Sequence, residues 1–235
     1  MSEKLSIVKV QQELEKGSTG AEIVGAFASA LANYVPKVGP ILAEAISVSI
    51  PQQKLDRLII FTQVLGDRVK YLESDLSVQK SKTEEFADLF EDALHQASRA
   101  LTDERRRHIA SILTNSLTSD ELAHVEQKKL LALLGALNDA EIQLLKFYAL
   151  VGTEQRNFAE EHTELFTPIS RTFGAPQINI DKGAVRDSYR NKLLEVGLVE
   201  PTFKNSFKAT PLGKLLLRYI DEIAVAKAET ERKGD

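Results

Sequence analysis

Apolar residues recur three and four positions apart through most of the chain before Leu150, the spacing of helices with one buried face. The pattern predicts a short charged helix from Leu5 to Lys16, broken by Gly17-Ser18-Thr19-Gly20. An alanine-rich helix from Ala21 to Tyr34 follows, stopped by Pro36, and a second apolar helix starts at Val38-Gly39-Pro40 and ends before Pro51. The longest helix runs from Gln52 to Leu76, with Leu58, Phe61, Leu65, Val69, Leu72 and Leu76 as its stripe. From Thr83 to Ala100, Phe86, Leu89, Phe90 and Leu94 face inward, and Glu84, Glu85, Asp88, Glu91 and Asp92 face outward. Thr102 caps the next helix, with Asp103 and Glu104 favouring its dipole and Ile109, Ile112, Leu113 and Leu117 buried. Ser119-Asp120-Glu121 opens a helix reaching Leu134, and Asn138-Asp139-Ala140-Glu141 is a capping-box start to one through Tyr148.

The pattern changes towards the C-terminus. From Lys182 to Val196, Val185, Tyr189, Leu193 and Leu194 lie at helical spacing, with Arg186, Arg190 and Lys192 between them. Gly197 then sits where a left-handed helix cap is needed. Leu198-Val199-Glu200 and Phe207-Lys208-Ala209 read as two short strands joined by Lys204-Asn205-Ser206. Thr210-Pro211 is an N-cap and first helical residue for a last helix through Leu215-Leu216-Leu217 to Ile220. The fold class is therefore mainly α. A multi-helix domain over 1–136 is followed by a winged helix-turn-helix domain over 137–235 with a short β-hairpin. At least seven helices are expected, with strand pairing confined to 198–210 apart from a short third strand at Gln177 to Ile180. The charged tail after Val225 is expected to fray.

Composition narrows the function. The 235 residues are 43% apolar and 27% charged, as in an ordinary globular protein. A net charge of −4 argues against wholesale polyanion binding, so any nucleic-acid surface is local. The absence of cysteine removes disulfides, thiolate metal sites and a cysteine nucleophile. No signal-peptide pattern opens the chain, and no apolar run reaches the roughly 18 residues of a membrane-spanning helix. A cytoplasmic location is the simplest expectation.

Three features carry candidate chemistry. Between Lys182 and Arg218 eight basic residues stand against three acidic ones. Lys182, Arg186 and Arg190 on the helix, with Lys204 and Lys208 flanking the wing, are the candidate nucleic-acid contacts. Against that stands the stretch from Thr163 to Ile180, which separates this helix from the preceding one by far more than a regular helix-turn-helix allows. The second feature is the hairpin from Ala21 to Ile50, with only Glu22, Lys37 and Glu44 charged. A packed core is its expected role, with Val24, Phe27, Leu31, Ile41 and Ile46 against Leu58, Phe61 and Leu65; the alternative is a contact with a partner or membrane. The arginines 105–107 read as a solvated face answering the acidic helix from Glu84 to Asp92. Third, His95, His108, His124 and His162 lack metal-ligand spacing, and the chain holds no HExxH, GxGxxG, P-loop or serine elbow. No catalytic residue, metal or cofactor is expected.

Leu134-Gly135-Ala136-Leu137-Asn138-Asp139-Ala140-Glu141, Tyr189-Arg190-Asn191-Lys192-Leu193-Leu194-Glu195-Val196-Gly197-Leu198-Val199 and Thr210-Pro211-Leu212-Gly213-Lys214 together resemble the C-terminal half of the bacterial abortive-infection alpha family. The resemblance implies a bacterial cytoplasmic protein with a winged-helix-like end and a part in phage defence; it supplies no catalytic residues. The reading is a non-enzymatic, macromolecule-binding protein, with DNA or RNA ahead of protein as the ligand. The alternative is an interaction or oligomerisation scaffold whose apolar N-terminal hairpin acts on a partner or membrane.

Overall fold

The computed structural model describes residues 52–69, 79–119, 121–170, 172, 174–203 and 206–220. The expectations for the helix from Leu5 to Lys16, the hairpin from Ala21 to Ile50, Leu72, Leu76, Lys204 and the tail lie outside those residues. Among the described residues the chain is mainly helical with one two-stranded antiparallel sheet. It divides into two compact units, 52–132 with Tyr219 and Ile220, and 133–218.

The first unit rests on α1 (Gln52–Val69), α2 (Glu84–Arg99) and α3 (Asp103–Thr118), each packed on the other two. Leu58, Phe61, Leu65 and Val69 of α1 are buried, as their spacing requires, with Phe86, Leu89, Phe90 and Leu94 of α2 and Ile109, Ile112, Leu113 and Leu117 of α3. Thr102 caps α3 as expected, its Oγ1 accepting from the Arg105 amide, and Thr83 caps α2 in the same way, its Oγ1 accepting from the Phe86 amide.

Two expectations fail in this unit. Helix α4 is His124–Ala136 and does not begin at Ser119. Ser119 Oγ accepts the Glu121 amide in a local turn, and Glu126 folds back onto the Ala123 amide at 2.7 Å. The carboxylate three residues ahead thus sets the start at the second of two polar clusters. The arginine triplet is also not a solvated face throughout: Arg106 is only 5% exposed. It donates to the Ala100 carbonyl at 2.6 Å and pairs with Asp103, so it ties the α2–α3 connection. The acidic face of α2 is answered instead by α4, where Lys128 meets Asp88 and Asp92 at 2.7 and 3.0 Å, and His124 meets Asp88 at 2.9 Å.

The second unit contains the last turn of α4, then α5 (Asp139–Ala149), α6 (Gly152–Glu161), α7 (Thr163–Phe166) and α8 (Gln177–Glu195). Strands β1 (Val199–Pro201) and β2 (Phe207–Ala209) follow, paired Val199 to Ala209, Glu200 to Lys208 and Pro201 to Phe207. Helix α9 (Pro211–Ile220) closes the described chain. The capping box of α5 is complete: Asn138 accepts from the Glu141 amide, and Glu141 accepts from the Asn138 amide. No strand pairs outside the hairpin among the described residues. Gln177 to Ile180, expected as a possible third strand, is the first turn of α8. Pro176 precedes it at φ −54 and accepts from the Asn179 amide, so the proline seeds a helix that β-branched Ile178 and Ile180 do not advertise.

Candidate interaction site on helix α8

The site is built on a rigid base. Helix α8 ends in a left-handed glycine, Gly197 at φ 73. The Leu198 amide reaches back to the Leu193 carbonyl and the Gly197 amide to Leu194. This two-bond cap brings Leu193 and Leu198 together, both fully buried. Thr210 locks the far end of the hairpin to the same point: its hydroxyl donates to the Gly197 carbonyl and its amide to the Leu198 carbonyl. The Thr210 hydroxyl then accepts from the Gly213 amide and caps α9. Gly213 lies so close to this knot that a Cβ there would stand 2.2 Å from the Leu198 carbonyl oxygen.

A cluster of rings forms the second support. Phe147 stacks on Phe166 at 4.4 Å, Phe158 meets Phe166 at 6.0 Å, and Tyr148 meets Phe207 at 5.7 Å. Phe166 thereby anchors the single turn of α7. Burial pushes the Tyr148 phenol above its ordinary range, partly countered by the positive charge of Arg190.

The candidate basic residues that the structure describes differ in their contacts. Arg186 donates to the carbonyls of Glu164 and Thr167, so its charge caps the C-terminal end of α7. Arg190 pairs with Asp187 at 3.0 Å and lies over the Phe207 ring at 5.2 Å, bracing α8 against β2. Lys208 pairs with Glu200 across the hairpin at 3.0 Å. Lys182 is exposed and makes no ion pair among the described residues. Arg186 and Arg190, four apart on one helix, therefore brace internal structure.

What the structure brings together instead is a cleft of about 790 Å³ between the start of α8 and the α7 segment. Ile178, Lys182 and Val185 form one wall, and Leu165, Pro168 and Ile169 the other. Ile178 is 57% exposed and Val185, expected on the buried stripe, 48%. Over 177–185 only Gly183 is buried and Asn179 half-buried; the other seven residues are exposed. Sequence periodicity missed this site because Val185 sits in phase with the truly buried Leu193. The alternation of Ile178 and Ile180 with polar neighbours was the one signal of an unusual segment.

Among the described residues no cluster of three or more histidines or carboxylates has the arrangement of a metal site. No described helix is long and apolar enough to cross a membrane. The chain matches no protein-family model, no curated protein and no solved structure at significant similarity.

Proposed function

We propose that the chain is a non-enzymatic docking protein whose second unit is a winged helix that holds a protein partner against α8. The observation that carries this reading is the exposure of 177–185, with Ile178 and Val185 seven apart on the face that lines the cleft. An isolated helix of that length is unstable in water. Exposed aliphatic side chains that line a cleft and are rimmed by polar residues are the arrangement of an interaction site. The cleft beside it has the size and mixed lining of a binding groove. The abortive-infection resemblance supports placing such docking within phage defence.

A second reading, nucleic-acid binding, is favoured by the hairpin. Phe203 is 95% exposed at its turn, Lys208 is exposed five residues on, and Lys182 is exposed on α8. Surface ion pairs such as Lys208 to Glu200 are weak enough for a phosphate to displace. On this reading, alanine at Lys182 and Lys208 flattens the salt dependence of binding to DNA or RNA by about one unit per lost contact.

Photocrosslinking from position 185 separates the two. The chain has no cysteine, so Val185→Cys carries a single benzophenone label, with Lys129→Cys as the exposed control. Docking predicts a protein adduct in cells from position 185 alone, abolished by Ile178→Asp. An adduct only to nucleic acid, or none at either position, contradicts it.

A further inference from the structure

We infer that the partner seated on α8 is a second copy of this chain, the two α8 helices meeting antiparallel about a twofold axis between residues 181 and 182. This inference rests on the docking reading and names its occupant. Along the exposed wall the side chains run Ile178, Asp181, Lys182, Val185. These positions are three, four and seven apart and so lie on one stripe of the helix. All four line the α7–α8 cleft and all four are exposed.

The stripe is its own complement when reversed. An antiparallel copy places Ile178 opposite Val185 of the second copy and Asp181 opposite Lys182 of the second copy. The symmetry repeats both contacts. An apolar pair therefore closes each end, and two opposite-charge pairs meet at the centre. A parallel copy in register would set Asp181 on Asp181 and Lys182 on Lys182, which repel. Self-complementarity of this kind is what an isologous interface demands and what a foreign helix would match only by coincidence.

The charges are available for this pairing. Gln177 donates to one oxygen of Asp181 at 2.9 Å, which orients the carboxylate and leaves its other oxygen open. Lys182 has no ion-pair partner among the described residues. Arg186 does not compete, because its guanidinium is held by the α7 carbonyls. Pro168 and Ile169 on the opposite wall supply a second surface against the incoming helix. One helix and one loop per copy make a small interface, below roughly 1,200 Å², the size class of weak and transient associations.

Sedimentation equilibrium of the full chain, up to about 100 µM, tests the inference by charge exchange. Wild type is expected to show a monomer–dimer equilibrium. Asp181→Lys alone and Lys182→Asp alone each place like charges opposite one another twice. Each should weaken self-association by a factor on the order of 10². An equal mixture of the two variants should recover a dimer, because every central contact is again between opposite charges. Circular dichroism checks that each variant keeps its helix content. Should either lose it, the outer pair is exchanged instead: Ile178→Asp with Val185→Lys in one chain should dimerise, and Ile178→Asp with Val185→Asp should not. A monomeric wild type, single variants that associate like wild type, or a mixture that stays monomeric overturns the inference. A crosslinked adduct at position 185 to a different protein, with a monomeric wild type, overturns the second-copy partner and leaves docking standing. No protein adduct at position 185 overturns docking itself.

Discussion

Helices α3 and α8 are of similar length, sixteen and nineteen residues, and spend their side chains in opposite ways. Nine residues of α3 are buried, among them Arg106, His108 and Ser111, so the packing of the first unit draws in even polar groups. Only Gly183 and Leu193 of α8 are buried, and its first half carries its aliphatic residues on the outside. A helix like α3 is held by what covers it. A helix like α8 is held at one end, by the Gly197 cap and the Arg190–Phe207 contact, and displays the other. The difference marks where the molecule stops being concerned with folding and starts presenting a surface.

Phe90 is fully buried on α2, stacked at 6.4 Å on Phe86. Phe90→Ala should destabilise the first unit by about 3–5 kcal/mol in urea unfolding, the cost of an emptied aromatic core site. A loss below 1 kcal/mol would show that this unit is not packed as described.

The base of α8 comes next. Gly213→Ala drives a Cβ into the Leu198 carbonyl oxygen and should cost about 1–3 kcal/mol, as overpacking does. Gly197→Ala forces a side chain into the left-handed region at φ 73 and should cost about 1 kcal/mol. Thermal melts of the two variants rank them, and a neutral Gly213→Ala would contradict the knot. Asn138→Ala removes half of the α5 capping box and should cost about 1 kcal/mol by the same measurement.

Smaller still is the clamp between α2 and α4. Hydrogen bonds from Lys128 and then His124 hold the Asp88 carboxyl below its ordinary value of 3.8, and those that Lys128 donates to Asp88 and Asp92 hold its own value above 10.5. A lowered acid contributes stability above its unfolded value and loses it as pH falls through the folded one. A raised base contributes below its unfolded value and loses it as pH rises through the folded one. The clamp therefore works fully between those two ordinary values and fades outside them. All four groups are substantially exposed to screening solvent, so Asp88→Asn should cost only about 0.5 kcal/mol at neutral pH. A pH-independent difference between variant and wild type across acid unfolding would refute the clamp.

Much of the scaffold was legible before any coordinates. The caps at Thr102, Asn138 and Thr210, the Gly197 turn and the two strands of the hairpin follow from local chemistry that tertiary packing does not override. The site was less legible, for three physical reasons. Ile178 and Ile180 favour extended backbone locally, and only the preceding Pro176 and the rest of α8 turn them helical. An arginine reads as a surface cation until the carbonyls that occupy it are known, as for Arg106 with Ala100 and Arg186 with Glu164. Periodicity assigns a face to Val185 but cannot say whether anything lies opposite that face.

On the proposed function, the start of α8 serves binding and not folding. Urea unfolding of the Ile178→Asp, Val185→Asp double variant, at a protein concentration where wild type is monomeric, tests it most directly. Exposed substitutions cost within about 0.5 kcal/mol, so the account predicts coincident unfolding curves. A loss of about 2 kcal/mol or more would mean that both side chains are buried in the folded monomer, and would contradict it.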